Sequence, residues 1–297
     1  MRALADFVMR GRRQATLVVV GAAVVPMFFW LSAAAGSLVL LRRGLADGIG
    51  VAAWALLPAL AWWYFGDPRV LLVVAGSLAL SLVLRSRSSW RPVMLCSVAV
   101  GLVYGLALGT VFAEPIGRLS GEVQKLLPQT LPEVWGQLSV EEQARLQALL
   151  TGVLTGLLAA LLQMLALASL MLGRFWQAQL YNPGGFGREF RELRFPPLAG
   201  LLLLAGVLLG PNLGPGLAML TPLCTVPLVF AALALVHGLV AEGRLGRFWL
   251  VGLYVALVLF LQLLYPLLAL LAICDSLFDF RGRASRTGRP GPKNGEG

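Results

Sequence analysis

Charged side chains are scarce in this sequence of 297 residues: Asp, Glu, Lys and Arg make up 13% of it, against roughly 25% in a soluble domain. With 58% hydrophobic residues and a mean hydropathy of +0.81, the solvent for most of the chain is lipid. Histidine occurs once, at His237, which excludes a histidine metal cluster and any histidine dyad. The three cysteines, Cys96, Cys224 and Cys274, stand singly in apolar stretches with no CxxC pair and no partner at metal-ligand spacing. They read as packing residues, and no disulfide, metal or other cofactor is expected. There is no GxSxG, no HExxH and no cysteine beside a base, so no catalytic residue is assigned and the chain is not expected to be an enzyme.

Basic residues outnumber acidic ones by 24 to 14. They are spread over short loops without interleaved aromatics, which argues against nucleic acid as a partner and for a topology signal in a bilayer. A spanning helix needs about 20 apolar residues, and clear candidates lie at 44–65, 70–84, 93–113, 149–172, 198–209 and 217–240. Two stretches have awkward lengths: 15–41, interrupted by Pro26, and 248–280, interrupted by Pro266. If both fold back, the loops at 2–13, 42–43, 85–91, 174–194, 244–247 and 281–293 share one side, and only Arg69, Arg118, Lys125 and Arg145 of the 24 basic residues fall on the other. The positive-inside rule therefore predicts two folded-back ends, both termini cytoplasmic, and an all-α polytopic bundle of about eight to ten membrane segments in a bacterial inner membrane. The first fold is the firmer expectation; the second stretch has the alternative of one crossing plus a re-entrant helix. The arginine-flanked N-terminal run, with small residues at 32–36, has the outline of a signal peptide. Its apolar character continues to Leu41, so it is read as retained.

The expected organisation is a six-segment bundle over 1–173, a cytoplasmic amphipathic linker at 174–197, further membrane segments over 198–280 and a disordered basic tail at 281–297. Within the bundle, 114–146 forms an outside loop broken by Pro115, Pro128 and Pro132. Ser139-Val140-Glu141-Glu142 fits a capping box, which predicts a helix running from there into the membrane. Gly152 and Gly156 in that helix have the GxxxG spacing that permits close helix contact. In the linker, Phe186, Phe190 and Leu193 share one helical face while Arg188 and Arg191 share another, as in a short helix on the headgroups.

The folded-back first pair, the turn Arg42-Arg43-Gly44-Leu45-Ala46-Asp47-Gly48 and the long outside loop together resemble the S components of energy-coupling-factor vitamin transporters, in which an RRGxxxG turn at that place is typical. Phe190-Arg191-Glu192-Leu193-Arg194-Phe195-Pro196, Val236-His237-Gly238-Leu239 and Cys274-Asp275-Ser276-Leu277-Phe278-Asp279-Phe280-Arg281 resemble the YybS-like family of bacterial membrane proteins, itself distantly similar to S components. The resemblance covers nearly the whole chain. It implies a helical bundle whose outward loops close over a small molecule, with a surface for a membrane or cytoplasmic protein partner and without an ATPase of its own. The chain departs from the S-component pattern where Arg12 and Arg13 separate the small residues Gly11 and Ala15, and in its extra segments after Gly173.

Polar residues inside a bilayer are costly and mark cavities or partners, which singles out Gln163, His237 and Gln262. For both glutamines interhelical bonding is the favoured reading; for His237 a bond to a neighbouring helix is favoured over a proton relay. Trp62-Trp63-Tyr64 before Asp67 form an aromatic belt or, on the sharper reading, line an outward ligand pocket to which Glu114 adds an acid. Asp275, Asp279, Arg281 and Arg283 read as headgroup anchors, with internal pairing or a partner contact as the alternatives. Two functions follow: binding or moving a small solute, which needs an enclosed outer cavity with converging polar groups, and a scaffold that holds a partner protein.

Overall fold

The computed structural model describes residues 2–281; the basic tail beyond Arg281, with Arg283, lies outside them. The described chain is helical, without a strand. Six helices are long and apolar enough to cross a membrane, and a bent pair near the N-terminus adds a seventh if it counts as one span. This is an all-α multi-pass membrane protein. It divides into two compact units, one of residues 2–189 and 205–227 and one of residues 190–204 and 228–281.

The first unit begins with α1 (Arg2–Arg10), which buries Ala5 and Val8, and the extended Gly11 separates it from α2 (Arg12–Val24). Pro26 ends α2, and α3 (Phe29–Arg43) leaves at 118° to it. The Arg43 guanidinium donates to Met9 O at 2.7 Å, so the end of α3 lies back beside the end of α1. The first stretch is therefore folded back, as its charges require. Gly44, at φ 90, closes α3 and opens α4 (Leu45–Tyr64); this turn conformation is easy only for glycine.

There follow α5 (Arg69–Arg87), α6 (Trp90–Val111), α7 (Ala113–Thr130), α8 (Pro132–Gln137) and α9 (Val140–Tyr181). The 114–146 segment is thus not a loop. Pro115 falls in the first turn of α7 and Pro132 at the start of α8, where no helical donor is lost, while Pro128 lies inside the last turn of α7 and removes the bond its N–H would give to the Gln124 carbonyl without ending the helix there. The capping box is in place: Ser139 accepts from the Glu142 N–H, and Glu142 accepts from the Ser139 N–H at 2.8 Å. With 42 residues, α9 is about 63 Å long, twice the hydrocarbon core. Its first turns carry α7 through Ser120 Oγ to Thr151 Oγ1 at 2.6 Å and Gln124 Nε2 to Gln147 O at 3.4 Å.

Further along, α9 is crossed at Gly152 and Gly156. A Cβ on Gly152 would overlap Pro215 O, and one on Gly156 would stand 2.6 Å from Met219 Cα. The GxxxG spacing is used for a direct backbone contact with the turn that precedes α12 (Leu220–Ala241). Upstream of that turn come α10 (Gly185–Arg191) and α11 (Pro197–Leu209). The expected amphipathic helix is shorter than its pattern: Leu193 lies beyond α10 and is buried. The Phe186 ring meets Trp90 and Phe175 edge-on, so protein and not headgroups receives that side chain.

In the second unit, α13 (Phe248–Leu259) and α14 (Leu261–Phe278) form a hairpin. Arg244, before α13, donates to Phe280 O at 3.2 Å, which brings the two ends of the awkward stretch together and settles that it folds back. The break is at Phe260, φ −128 and ψ 41, and not at Pro266. Pro266 stands inside α14, in its second turn, where its missing N–H leaves the Gln262 carbonyl without its helical donor yet does not end the helix.

Candidate functional site

The five residues proposed to line an outer pocket have separate fates. Trp62 Nε1 donates to Ala23 O and Val24 O, both at 3.2 Å, tying the end of α4 to the end of α2. Trp63 packs edge-on against Phe112, centroids 5.2 Å apart. Tyr64 is 86% exposed. Asp67 receives both ends of the Arg69 guanidinium, at 2.7 and 2.8 Å, and the Arg69 N–H at 3.0 Å. That fork holds its carboxyl below the usual carboxylate range, so its favourable contribution is complete above pH about 4 and fades as pH falls below it. Glu114 is exposed and pairs one turn on with Arg118 at 3.3 Å. A cavity of about 200 Å³ does open beneath Trp62, lined by Val24, Pro58, Ala61 and Phe65. Its wall is apolar, and neither Asp67 nor Glu114 reaches it.

The three intramembrane polar residues differ in the same way. Gln163 is fully buried in the first unit, where its Nε2 donates to Ser97 Oγ on α6 at 2.8 Å and its Oε1 accepts nothing. Ser97 Oγ has a second bond, to Met94 O at 2.7 Å. Replacing Gln163 by Leu therefore removes one modest interhelical bond and one orphaned acceptor. The expected result is a melting temperature in detergent equal to wild type within the effect of about 1 kcal/mol; a loss above about 2 kcal/mol would mean the amide has a further partner. His237 lies in the second unit against the Tyr254 hydroxyl, 2.9 Å away, and meets the Phe190 ring edge-on. Gln262 is exposed on α14 and has no hydrogen-bond partner among the described residues.

The densest polar constellation takes up the internal pairing that the sequence offers as an alternative to headgroup anchoring for Asp275, Asp279 and Arg281. In the second unit, Asp275 is 2% exposed; its carboxylate accepts from Arg281 Nη2 at 2.8 Å and from the Phe280 N–H at 3.2 Å. Arg281 also donates to Leu193 O at 3.0 Å and to Arg191 O. Arg194 donates to Ser276 O and to Asp275 O, which also accepts the Asp279 N–H at the end of α14, and pairs with Asp279 at 3.2 Å. Ser276 Oγ completes the ring with a bond to Pro196 O at 3.1 Å, over Gly200, whose missing Cβ leaves the hydroxyl room. Gly238 sits beside Arg281 Cδ and Arg191 O. The three segments that carry the YybS-like resemblance thus meet in one place. The cluster is charge-balanced, and as a clasp it fastens residues 191–196 to the end of α14. The spacing of Asp275, Asp279 and Arg281 contains the signal for pairing, but Arg194 is 81 residues from Asp275, beyond the reach of local pattern.

A second polar cluster, in the first unit, was not singled out at all. The ends of α3, α5 and α9 meet where Arg85 donates to Leu40 O and Leu41 O, at 3.2 and 3.0 Å, and Arg42 lies 3.9 Å over the Tyr181 ring. Arg174 grips Glu189 with two nitrogens, one bond at 2.9 Å. A cavity of about 190 Å³ lies between Arg85, Ser88, Arg174, Gln177 and Glu189. Glu189 is one of two acids among four arginines between residues 174 and 194, the hint that a partner waits for it. Among the described residues no group of three His, Cys, Asp or Glu side chains is placed to hold a metal ion.

Comparison with known proteins finds no family model, no curated protein and no solved structure that matches the chain.

Proposed function

We propose that this is a non-catalytic membrane protein that holds a protein partner within the bilayer, in the bacterial inner membrane with both termini cytoplasmic. The observation that carries the reading is Gln262, a primary amide exposed on α14 with no bond among the described residues. An amide in hydrocarbon is costly and ordinarily faces a helix that satisfies it. The helix before it, α13, buries none of its residues, so the hairpin offers a full face to a second membrane protein. The charge asymmetry of the loops supports the sidedness. The resemblance to the YybS-like family and to S components supports a second reading, a binder of a small solute, and the polar cavity between Arg85, Arg174 and Glu189 gives such a solute a place.

One experiment separates the two. A photo-cross-linking side chain is placed at position 262 in native membranes, with a control at Val258, which is 83% exposed on α13. The scaffold reading expects a discrete protein adduct from position 262; adducts to lipid alone at both positions overturn it. A co-purified metabolite in native mass spectra, lost in Arg174→Ala, establishes the solute reading.

A further inference from the structure

The first unit carries a groove of about 820 Å³ between α2 and α4, and its lining changes character along its length. Arg12 and Arg13 stand at its mouth, at the start of α2; Leu17, Val20 and Gly21 follow on the same helix, with Trp54 of α4 opposite. From Arg12 to Gly21 the groove runs nine residues of helix, about 13 Å. It is open because glycine lines it: nothing lies within 4 Å of where a Gly21 side chain would begin. On α4, Gly50 lets the Arg12 guanidinium lie against the helix backbone. Both arginines are exposed, and neither forms an ion pair among the described residues. The nearby Asp47 is taken by Arg43.

We infer that this groove binds an anionic phospholipid, whose phosphate is held by Arg12 and Arg13 and whose acyl chain lies along Leu17, Val20 and Trp54. The chemistry at each end selects this occupant. Two adjacent cations at headgroup depth require an anion, and the positive-inside asymmetry places them in the leaflet that carries anionic lipid. The apolar part is too short for a packed transmembrane helix, and such a helix would need acids at its end to satisfy the arginines. An acyl chain needs only the apolar wall. A free phosphate ion would use the arginines and leave that wall empty.

The test is native mass spectrometry of the full chain in detergent, titrated with phosphatidylglycerol and with phosphatidylcholine of the same acyl chains. The first phosphatidylglycerol is expected to bind at least tenfold more tightly than phosphatidylcholine. Arg12→Gln with Arg13→Gln removes that preference, and Gly21→Leu, which grows into open space, weakens both lipids several-fold. Millimolar inorganic phosphate leaves the bound lipid in place. The inference is overturned if the two lipids bind equally, if the preference survives the double substitution, or if Gly21→Leu changes nothing. Melting temperatures equal to wild type show that these exposed substitutions leave the fold intact.

Discussion

Asp275→Ala should lower the stability of this protein by about 3 to 5 kcal/mol, the usual consequence of removing one partner from a buried ion pair. For a chain of this length that is a fall of roughly 10 °C in melting temperature. The argument rests on what is left behind. Arg281 keeps its contacts to Leu193 O and Arg191 O but loses its counter-charge at a site where Asp275 is 2% exposed. The Phe280 N–H loses its acceptor as well. Asp275→Asn should cost less, since the amide oxygen still accepts from Phe280. Asp275→Leu combined with Arg281→Met should recover much of the loss, because an apolar pair of similar volume often replaces a buried ion pair at little cost. Thermal melts of the four variants in one detergent decide this. A double variant no better than Asp275→Leu alone would mean that the backbone bonds of Arg281, and not its charge pairing, hold the clasp.

That clasp shows where sequence reasoning reaches and where it stops. Membrane spans were legible because burial in lipid is a property of composition over about 20 residues. The fold-back at Pro26 was legible because four N-terminal arginines have to stay on one side, and the capping box at Ser139 because its logic is confined to four residues. Three expectations failed for identifiable reasons. Prolines at 115, 128 and 132 were read as breaks, yet Pro115 and Pro132 fall in first turns where no donor is needed, and α7 runs through Pro128 for two more residues despite the lost bond. Pro266 was read as the hinge, but the helix breaks at Phe260 and α14 runs through the proline in its second turn. The face Phe186, Phe190 and Leu193 fits headgroups as well as it fits protein, and only packing chooses between them. The side chains proposed for an outer pocket, four close together in sequence and Glu114 on another helix, do not share a cavity, since Arg69 occupies Asp67 and Arg118 occupies Glu114.

Within lipid, helices gain little from burying apolar surface against each other, so close packing through small residues has a larger part in holding them. This gives Gly156→Leu the second large effect. A Cβ at Gly156 meets Met219 Cα at 2.6 Å, Met219 O at 2.8 Å and Pro222 Cγ at 2.8 Å. Two of those three atoms are backbone, and the third belongs to a rigid ring, so none can swing aside as a flexible side chain would. Overpacking of this kind costs about 1 to 3 kcal/mol and more when backbone must shift; with a whole leucine the upper end is expected, with detachment of the turn at 214–219 from α9. Gly121→Ala is the matched control. Gly121 lies within a helix and has nothing within 4 Å of its would-be Cβ, so alanine there should stabilise by about 0.5 to 1 kcal/mol through helix propensity alone. Protease accessibility of the 214–219 turn, measured beside the melts, separates local detachment from global loss. If Gly156→Leu melts with the wild type and the turn stays protected, the close crossing of α9 by that turn is not what holds the first unit together.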